Sequence, residues 1–399
     1  MTNRMLFING EVYSESAVLP NGAVAVEDGK ITAVYQSLEE ISDDIRKQSE
    51  LIDLNGALLL PGFIDVHVHG GGGFDTMKSS TEPGSIDGLS RFMASHGTTS
   101  FLPTTLTDEA GRLVEVVSEV SRAMSAGTGG ADVLGVHLEG PFLNPIRSGA
   151  QNPDDMRTAT KEELGRLLEA SGETIRLITL APELPGAMEL IGYLTEKGVT
   201  VSIGHSDATY EIVQQAVAHG ATHVTHLFNG MSPLHHREPG VAGSALMLDE
   251  LTVELICDGL HVREELIGYV FRVKPKERVI LVTDAMEAAG LPDGEYMLGK
   301  LPVVMKCNRV TLKEGGNLAG SALTMDQALR NALKFTGRTL EEILPALTLN
   351  PARQIGVNHR KGSILAGKDA DFVVMGRNLE LLQTYVRGHE VYHRSKTEV

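Results

Sequence analysis

Tryptophan is absent from this chain, and cysteine occurs only twice, at Cys257 and Cys307. Two cysteines make no disulfide framework, so the fold must be held by its own core, and a reducing cytoplasm is the expected compartment. Basic residues are outnumbered: 35 Lys and Arg stand against 52 Asp and Glu, a net charge of −17. That balance argues against nucleic acid or an anionic membrane as the main partner. It leaves room for an anionic small molecule, because a few local cations outweigh a diffuse field screened by salt. No run approaches the ~20 apolar residues of a membrane span. The opening MTNRMLFINGEVYSE carries too short an apolar stretch for a signal peptide. The 399 residues, 42% of them hydrophobic, are enough for an α/β barrel with one small appendage.

Residues 4–54 alternate as short strands do, in MLFING, AVAVED, KITAVY and ELIDL, with one polar helical segment near SLEEISDDIRKQ. From Pro61 the texture changes to apolar strands alternating with helix-like segments. Eight strands are expected, at 62–68, 98–104, 133–139, 175–183, 199–205, 222–228, 252–258 and 278–284. Eight alternating β/α units give the arithmetic of a closed (β/α)8 TIM-type barrel. A loop-rich insertion, then helices, then short strands complete the chain. The expected division is a barrel over 61–355 and a small β-sandwich domain built from 1–60 plus 356–399, since either terminal module alone would have little core.

The stretch LLLPGFIDVHVHGGGGF places His67 and His69 two residues apart at a strand end, where side chains i and i+2 share a face. The other strand ends carry Glu139, Glu183, His205, His226, Asp258 with His261, and Asp284. Barrel enzymes assemble their active sites on this rim. So many imidazoles and carboxylates crowded together would repel or stay undersatisfied without a cation to hold. The set His67, His69, Glu139, His205, His226 and Asp284 offers only N and O donors, which suits Zn, Fe, Mn, Co or Ni without choosing among them. Six donors exceed the four of one tetrahedral ion, so Glu139 is the candidate bridge between two ions. Asp284 is the best-placed general base, and hydrolysis of an amide is the reaction class this implies.

These residues fall in motifs: PGFIDVHVHG, HLEGPFLNP, TLAPE, IGHSDAT, THLFNGM, REPG, DGLHV, LVTDAM and LAGSALTM. In that order they resemble the amidohydrolase superfamily, and within it the N-acetylglucosamine-6-phosphate deacetylase family. The resemblance implies a metal common to the family on Glu139, His205 and His226, a second ion on His67 and His69, and Asp284 as catalytic acid/base. It implies hydrolysis of the acetamide of N-acetyl-D-glucosamine 6-phosphate, with substrate contacts from Ala150, Gln151, Asn229, Gly230 and Arg237. Further contacts are implied from Asp258, Gly259, Leu260 and His261 and from Leu318, Ala319 and Gly320. A homodimer that shares part of its phosphate site is implied as well.

The chain departs from the family's common GxHNP pattern in having Gln151, an amide that can donate a hydrogen bond but carries no charge. His137 is expected beside the site rather than as a ligand, and His223 is expected on the opposite face from His226. His235 and His236 read as loop residues flanking the phosphate site, and Glu183 has no assigned role. The rival readings are an N-acetylgalactosamine 6-phosphate substrate, a cyclic amide, or a scaffold without chemistry.

Overall fold

The computed structural model describes residues 4–395. Among these residues, nine short strands, all in parallel register, form two sheets. The first joins Phe63–Val68, Thr98–Pro103 and Asp132–Val133. The second runs Val136–Glu139, Ile175–Leu180, Thr200–Ile203, His223–Val224, Thr252–Ile256 and Val279–Val282. Parallel bridges Thr104–His137 and Val68–Ala285 link the two sheets at both seams. Helices lie between successive strands, among them Ala110–Ala126, Lys161–Ala170, Ala187–Glu196 and Tyr210–Ala218. Their starts follow local chemistry: the Thr160 and Thr209 hydroxyls accept from the backbone N–H groups of Glu163 and Ile212, as N-caps do.

The apolar runs read from sequence become strands because both faces are covered. One core cluster takes Phe63, Phe101, Leu138, Leu177, Val201, Val224, Val253 and Leu281, all buried. Each such side chain contributes roughly 1.5–3 kcal/mol of burial free energy. Three strands differ from expectation. The third is split at Leu134 and Gly135, where φ of Gly135 is 148° and the register shifts. The fourth stops at Leu180. The sixth is cut to His223–Val224, because His226 and Phe228 adopt φ of 28° and 79° and turn the chain out of the sheet.

The two ends of the chain share a second layer. One eight-stranded sheet contains the amino-terminal strands Arg4–Tyr13, Val18–Glu27, Lys30–Tyr35, Glu50–Asp53 and Leu58–Pro61 and the carboxy-terminal Phe372–Met375, Leu381–Val386 and His389–His393. The halves meet where Leu58–Pro61 pairs antiparallel with Phe372–Met375. Alternation puts neighbours on opposite faces. Phe7 packs edge-on against Phe372 and Tyr385 at 5.0 Å, while Leu6 joins Ala23, Ala25 and Ile41 in a separate cluster.

The insertion after Val279–Val282, the last parallel strand, is more ordered than its sequence suggests. It forms a three-stranded antiparallel sheet, Gly294–Leu298, Leu301–Lys306 and Arg309–Leu312. Its second turn uses Cys307 and Asn308 at φ of 51° and 60°, a two-residue turn with both residues left-handed. The usual Asn-Gly signal is absent there, so the hairpin reads as loop.

A buried charge cluster ties the layers together. The Lys361 ammonium, 1% exposed, reaches Asp371 at 2.6 Å, Asp132 at 2.9 Å and Asp369 at 3.3 Å. Arg387 also pairs with Asp132, and Lys30 and Arg360 with Asp369. Burial alone would depress the Lys361 pKa, but Asp371 and Asp132 raise it above the usual lysine value. Removing the cation leaves the buried Asp371 carboxylate without its counter-charge, while Asp132 and Asp369 keep other partners. Lys361→Ala is therefore expected to lower the unfolding free energy by about 3–5 kcal/mol, seen as a lower urea midpoint at unchanged slope.

Candidate metal centre and its cavity

At the carboxyl ends of the parallel strands, five side chains converge. His67 and His69 come from the end of Phe63–Val68, and Glu139 ends Val136–Glu139. His205 and His226 lie just beyond Thr200–Ile203 and His223–Val224. Glu139 Oε1 lies 3.6 Å from His67 Nε2, 3.4 Å from His205 Nε2 and 3.3 Å from His226 Nε2. Glu139 Oε2 is 3.3 Å from His69 Nε2. The two imidazole pairs also face each other, with Nε2 atoms 3.3 Å apart for His67 and His69 and 3.2 Å apart for His205 and His226.

These atoms fit a divalent cation on two independent grounds. Ligands at ~2.0–2.1 Å around a tetrahedral ion are about 3.3–3.4 Å apart, which is the spacing found. Glu139 Oε1 is also buried with no hydrogen-bond donor, a costly state for a carboxylate oxygen that a cation relieves. The donors group as His67, His69 and Glu139 on one side and Glu139, His205 and His226 on the other. Glu139 belongs to both.

Three of the four imidazoles are aimed by their other nitrogen, while His226 Nδ1 is buried without a hydrogen-bond partner. His205 Nδ1 donates to the Arg147 carbonyl at 2.8 Å and His69 Nδ1 to the Thr104 carbonyl at 3.2 Å. His67 Nδ1 meets Glu254 Oε2 at 2.9 Å, and the same oxygen accepts from the His226 backbone N–H at 3.1 Å. Glu254 Oε1 bonds His223 Nε2 at 2.9 Å. His223 thus does not turn away from the site as alternation suggested, because the left-handed bend at His226 breaks the strand's period. His137 stands beside the ligands: Nε2 meets the Thr179 hydroxyl at 2.8 Å, and the ring packs edge-on to His67 at 4.6 Å.

Two buried carboxylates escape a reading of the sequence. Glu254 is mid-strand in TVELI and Asp65 mid-strand in FIDVHV, both fully buried. An acidic residue inside an otherwise apolar strand is the available signal. Asp65 accepts from the Thr283 hydroxyl at 2.6 Å and from the His67 backbone N–H at 3.2 Å, joining the first parallel strand to the last. Burial raises its pKa to about 7, against the Thr283 hydrogen bond.

Asp284 sits just past Val279–Val282 with φ of 50°, its Oδ1 3.2 Å from His69 Nε2 and 3.5 Å from His67 Nε2. Burial opposes its ionisation, yet His67 and His69 hold its pKa below the usual aspartate value. Glu139 is held well below its usual range by the surrounding imidazoles in spite of burial. Burial resists protonation of His69, but Asp284 and Glu139 raise its pKa to about 9.

The cluster floors a cavity of about 280 Å³ lined by His69, Leu106, Glu139, Gly149, Ala150, Gln151, His205, His226, Asn229, Gly230, His261, Asp284, Leu298, Leu318 and Gly320. The cavity thus brings together Ala150, Gln151, Asn229, Gly230, His261, Leu318 and Gly320 of the residues expected to contact substrate. Gly230 is there for lack of a side chain, since at φ of 59° a Cβ would fall 2.9 Å from His205 Nδ1. Gln151 has one of its two amide N–H groups engaged. Its Nε2 gives a hydrogen bond to Glu139 Oε2 at 2.6 Å, and its Oε1 accepts from the Thr107 N–H at 2.7 Å.

The remaining expected residues lie elsewhere. Asp258 backs the cavity, its Oδ2 bonding His261 Nδ1 at 2.7 Å, and Gly259 turns the chain there at φ of 75°. Burial resists protonation of His261, but this bond raises its pKa. Leu260 points outward at 45% exposure, and Ala319 is fully buried without lining the cavity. Arg237, His235 and His236 occupy an exposed loop, where the Arg237 guanidinium meets His236 Nε2 at 2.6 Å. Glu183 now has a role: it accepts from the Asn144 amide, the Ser206 hydroxyl and the Asp207 N–H, holding the turn that follows His205.

A layer of parallel strands ending in a His/Glu cluster defines a hydrolase-like metal centre, and comparison places it. Residues 58–391 match the amidohydrolase family, and the chain belongs to that family. It is 39% identical over 394 residues to the N-acetylglucosamine-6-phosphate deacetylase of Bacillus subtilis, covering 98% of this chain and 97% of that protein. It is 37% identical to the N-acetylgalactosamine-6-phosphate deacetylase of Escherichia coli O157:H7, over 94% and 96% of the two chains. A solved mutant of the N-acetyl-D-glucosamine-6-phosphate deacetylase from Mycobacterium smegmatis, in complex with N-acetyl-D-glucosamine-6-phosphate, superposes with a TM-score of 0.91. That pair is 32% identical, with 98% and 99% of the chains covered.

Glu254 supplies a direct check on the cluster. Glu254→Gln is expected to weaken divalent metal binding about 10–100-fold in a chelator-competition titration, with far-UV dichroism unchanged. Unaltered affinity would remove Glu254 from the support of His67.

Proposed function

We propose that the chain hydrolyses the acetamide of N-acetyl-D-glucosamine 6-phosphate, giving D-glucosamine 6-phosphate and acetate. The observation that carries this reading is one carboxylate, Glu139, shared between two imidazole pairs on the floor of a cavity sized for a sugar. The deacetylases it resembles over nearly their whole length supply the substrate class.

Glu139, His205 and His226 would hold one divalent cation and His67, His69 and Glu139 a second. Bound there, such an ion polarises the amide carbonyl and brings the pKa of a water from ~15.7 toward about 7. Asp284, ionised and 3.2 Å from His69, takes the proton from the attacking water and later delivers it to the leaving nitrogen. Gln151 fixes Glu139 through its amide. His261, oriented by Asp258, offers Nε2 to the sugar phosphate, with Asn229 and Gly230 beside it and Ala150, Leu318 and Gly320 as walls.

The two parallel sheets, bridged at Thr104–His137 and Val68–Ala285, read as one closed (β/α)8 barrel over 61–355. Residues 1–60 and 356–399 read as the small β domain, with 1–3 and 396–399 lying outside the described residues. Arg237 stands outside its own cavity on a loop with the exposed Leu234. A homodimer in which this loop reaches the partner's cavity would use it as a phosphate fork. No helix among the described residues is long and apolar enough to cross a membrane, and a cytoplasmic location fits the two free cysteines.

The galacto epimer is the second reading, favoured by the similarity to the Escherichia coli enzyme. Acetate release across N-acetylated sugars with and without the 6-phosphate separates the two, and absence of release from every phosphorylated sugar would end both. Asp284→Asn is expected to lower kcat about 10²–10⁴-fold while substrate still binds, measured by turnover and by calorimetry.

A further inference from the structure

The cavity lining is of two kinds, one apolar and one polar. The segment Thr104–Thr107 carries part of the apolar lining: the Thr104 carbonyl accepts from His69, and the Thr107 N–H donates to Gln151. Between these two contacts Leu106 enters the cavity, and Leu298 of the inserted hairpin faces the same space. Leu106 is 5% exposed and Leu298 2%. Beside His205 and His226 the lining is instead polar: the Asn229 amide donates to the His226 carbonyl and Gly230 packs on His205, while the imidazole of His261 also lines the cavity. A hydroxylated sugar against the leucines would leave its hydroxyls unpaired against hydrocarbon. The acyl methyl group suits the leucines, and the sugar suits the polar lining.

The leucine wall is also held rigidly. Leu298 sits between two anchored neighbours in the hairpin. The Met297 N–H donates to Glu287 Oε1 at 2.8 Å, and the Glu287 carboxylate also takes the Lys78 ammonium. Lys300 pairs with Asp108 at 2.7 Å and Asp155 at 3.0 Å. Between them Gly299, at φ of 56°, comes down on Leu106, so that a Cβ there would lie 3.0 Å from Leu106 Cδ1. A wall anchored on both sides of its contact residue has little room to yield to a larger group.

Taking the deacetylase reading above as its basis, we propose that Leu298, backed by Leu106, sets the length of the acyl group the enzyme removes, admitting formyl and acetyl and rejecting propionyl and longer chains. One methylene in an apolar pocket is worth about 10–200-fold in selectivity.

The test measures amine release by the metal-loaded enzyme from the N-formyl, N-acetyl, N-propionyl and N-butyryl derivatives of glucosamine 6-phosphate. The wild type is expected to prefer acetyl over propionyl by about 10–100-fold in kcat/KM. Leu298→Ala narrows that ratio about tenfold, and Leu298→Phe lowers acetyl relative to formyl by a similar factor. Because the two variants act in opposite directions, the Phe variant carries the test if the Ala variant does not fold. Ratios that stay within about twofold of the wild type in every folded variant overturn the gauge alone. Failure of the wild type to release amine from any of the four overturns the deacetylase reading and the gauge with it.

Discussion

The arrangement depends on one carboxylate held where it is costly to hold. Glu139 is almost entirely buried, with one oxygen free of any hydrogen-bond donor and the other taken by Gln151. Four imidazoles surround it at 3.3–3.6 Å. Burying an ionised carboxylate costs several kcal/mol unless opposite charge compensates it. The neighbouring elements supply that compensation in shells: imidazoles against Glu139, Glu254 behind His67 and His223, and carbonyls of Thr104 and Arg147 behind His69 and His205. The barrel-like strand layer supplies what such an arrangement requires, namely several independent strand ends aimed at one point.

The backbone shows where this convergence stores strain. His205, His226 and Asp284 all take left-handed φ, at 47°, 28° and 50°. Non-glycine residues in this region cost of order 1–3 kcal/mol each and persist only where their surroundings impose them. Each of the three lies two residues past a parallel strand, His205 and His226 facing Glu139 and Asp284 facing His69 and His67. The shortening of the sixth strand is the visible result, a loss of regular pairing in favour of side-chain aim.

Much of this is legible in the sequence, for identifiable reasons. Buried parallel strands write themselves as continuous apolar runs, so all eight segments stand out, and reactive residues at their ends follow. Glu254, Asp65 and the partnership of His223 do not stand out. Their roles depend on side chains meeting across strands that are distant in sequence, and an alternation rule fails where the backbone turns left-handed. The inserted hairpin is hidden because its turn is built from Cys307 and Asn308 rather than a glycine pair. Arg237 carries a charge suited to phosphate, yet sequence holds no information on whether it points into its own cavity. Gln151 reads as a donor to substrate, and its bond to Glu139 through one of its two N–H groups is not legible in the sequence.

The long insertion after the last parallel strand leaves the carboxyl edge of the strand layer and comes back to nearly the same atom. The Ser321 N–H donates to the Asp284 carbonyl at 2.7 Å, and Ala285 and Ser321 bridge in parallel. The excursion is thereby pinched shut at its neck, and closing a loop depends only weakly on its length. The hairpin beyond this neck is joined to Asp284 through the pinch rather than by a continuous strand. Asp284 and the hairpin that lines the cavity are thus carried on one covalent segment but divided by a small hydrogen-bonded knot at Ser321, the kind of joint across which one side can change while the other keeps its place.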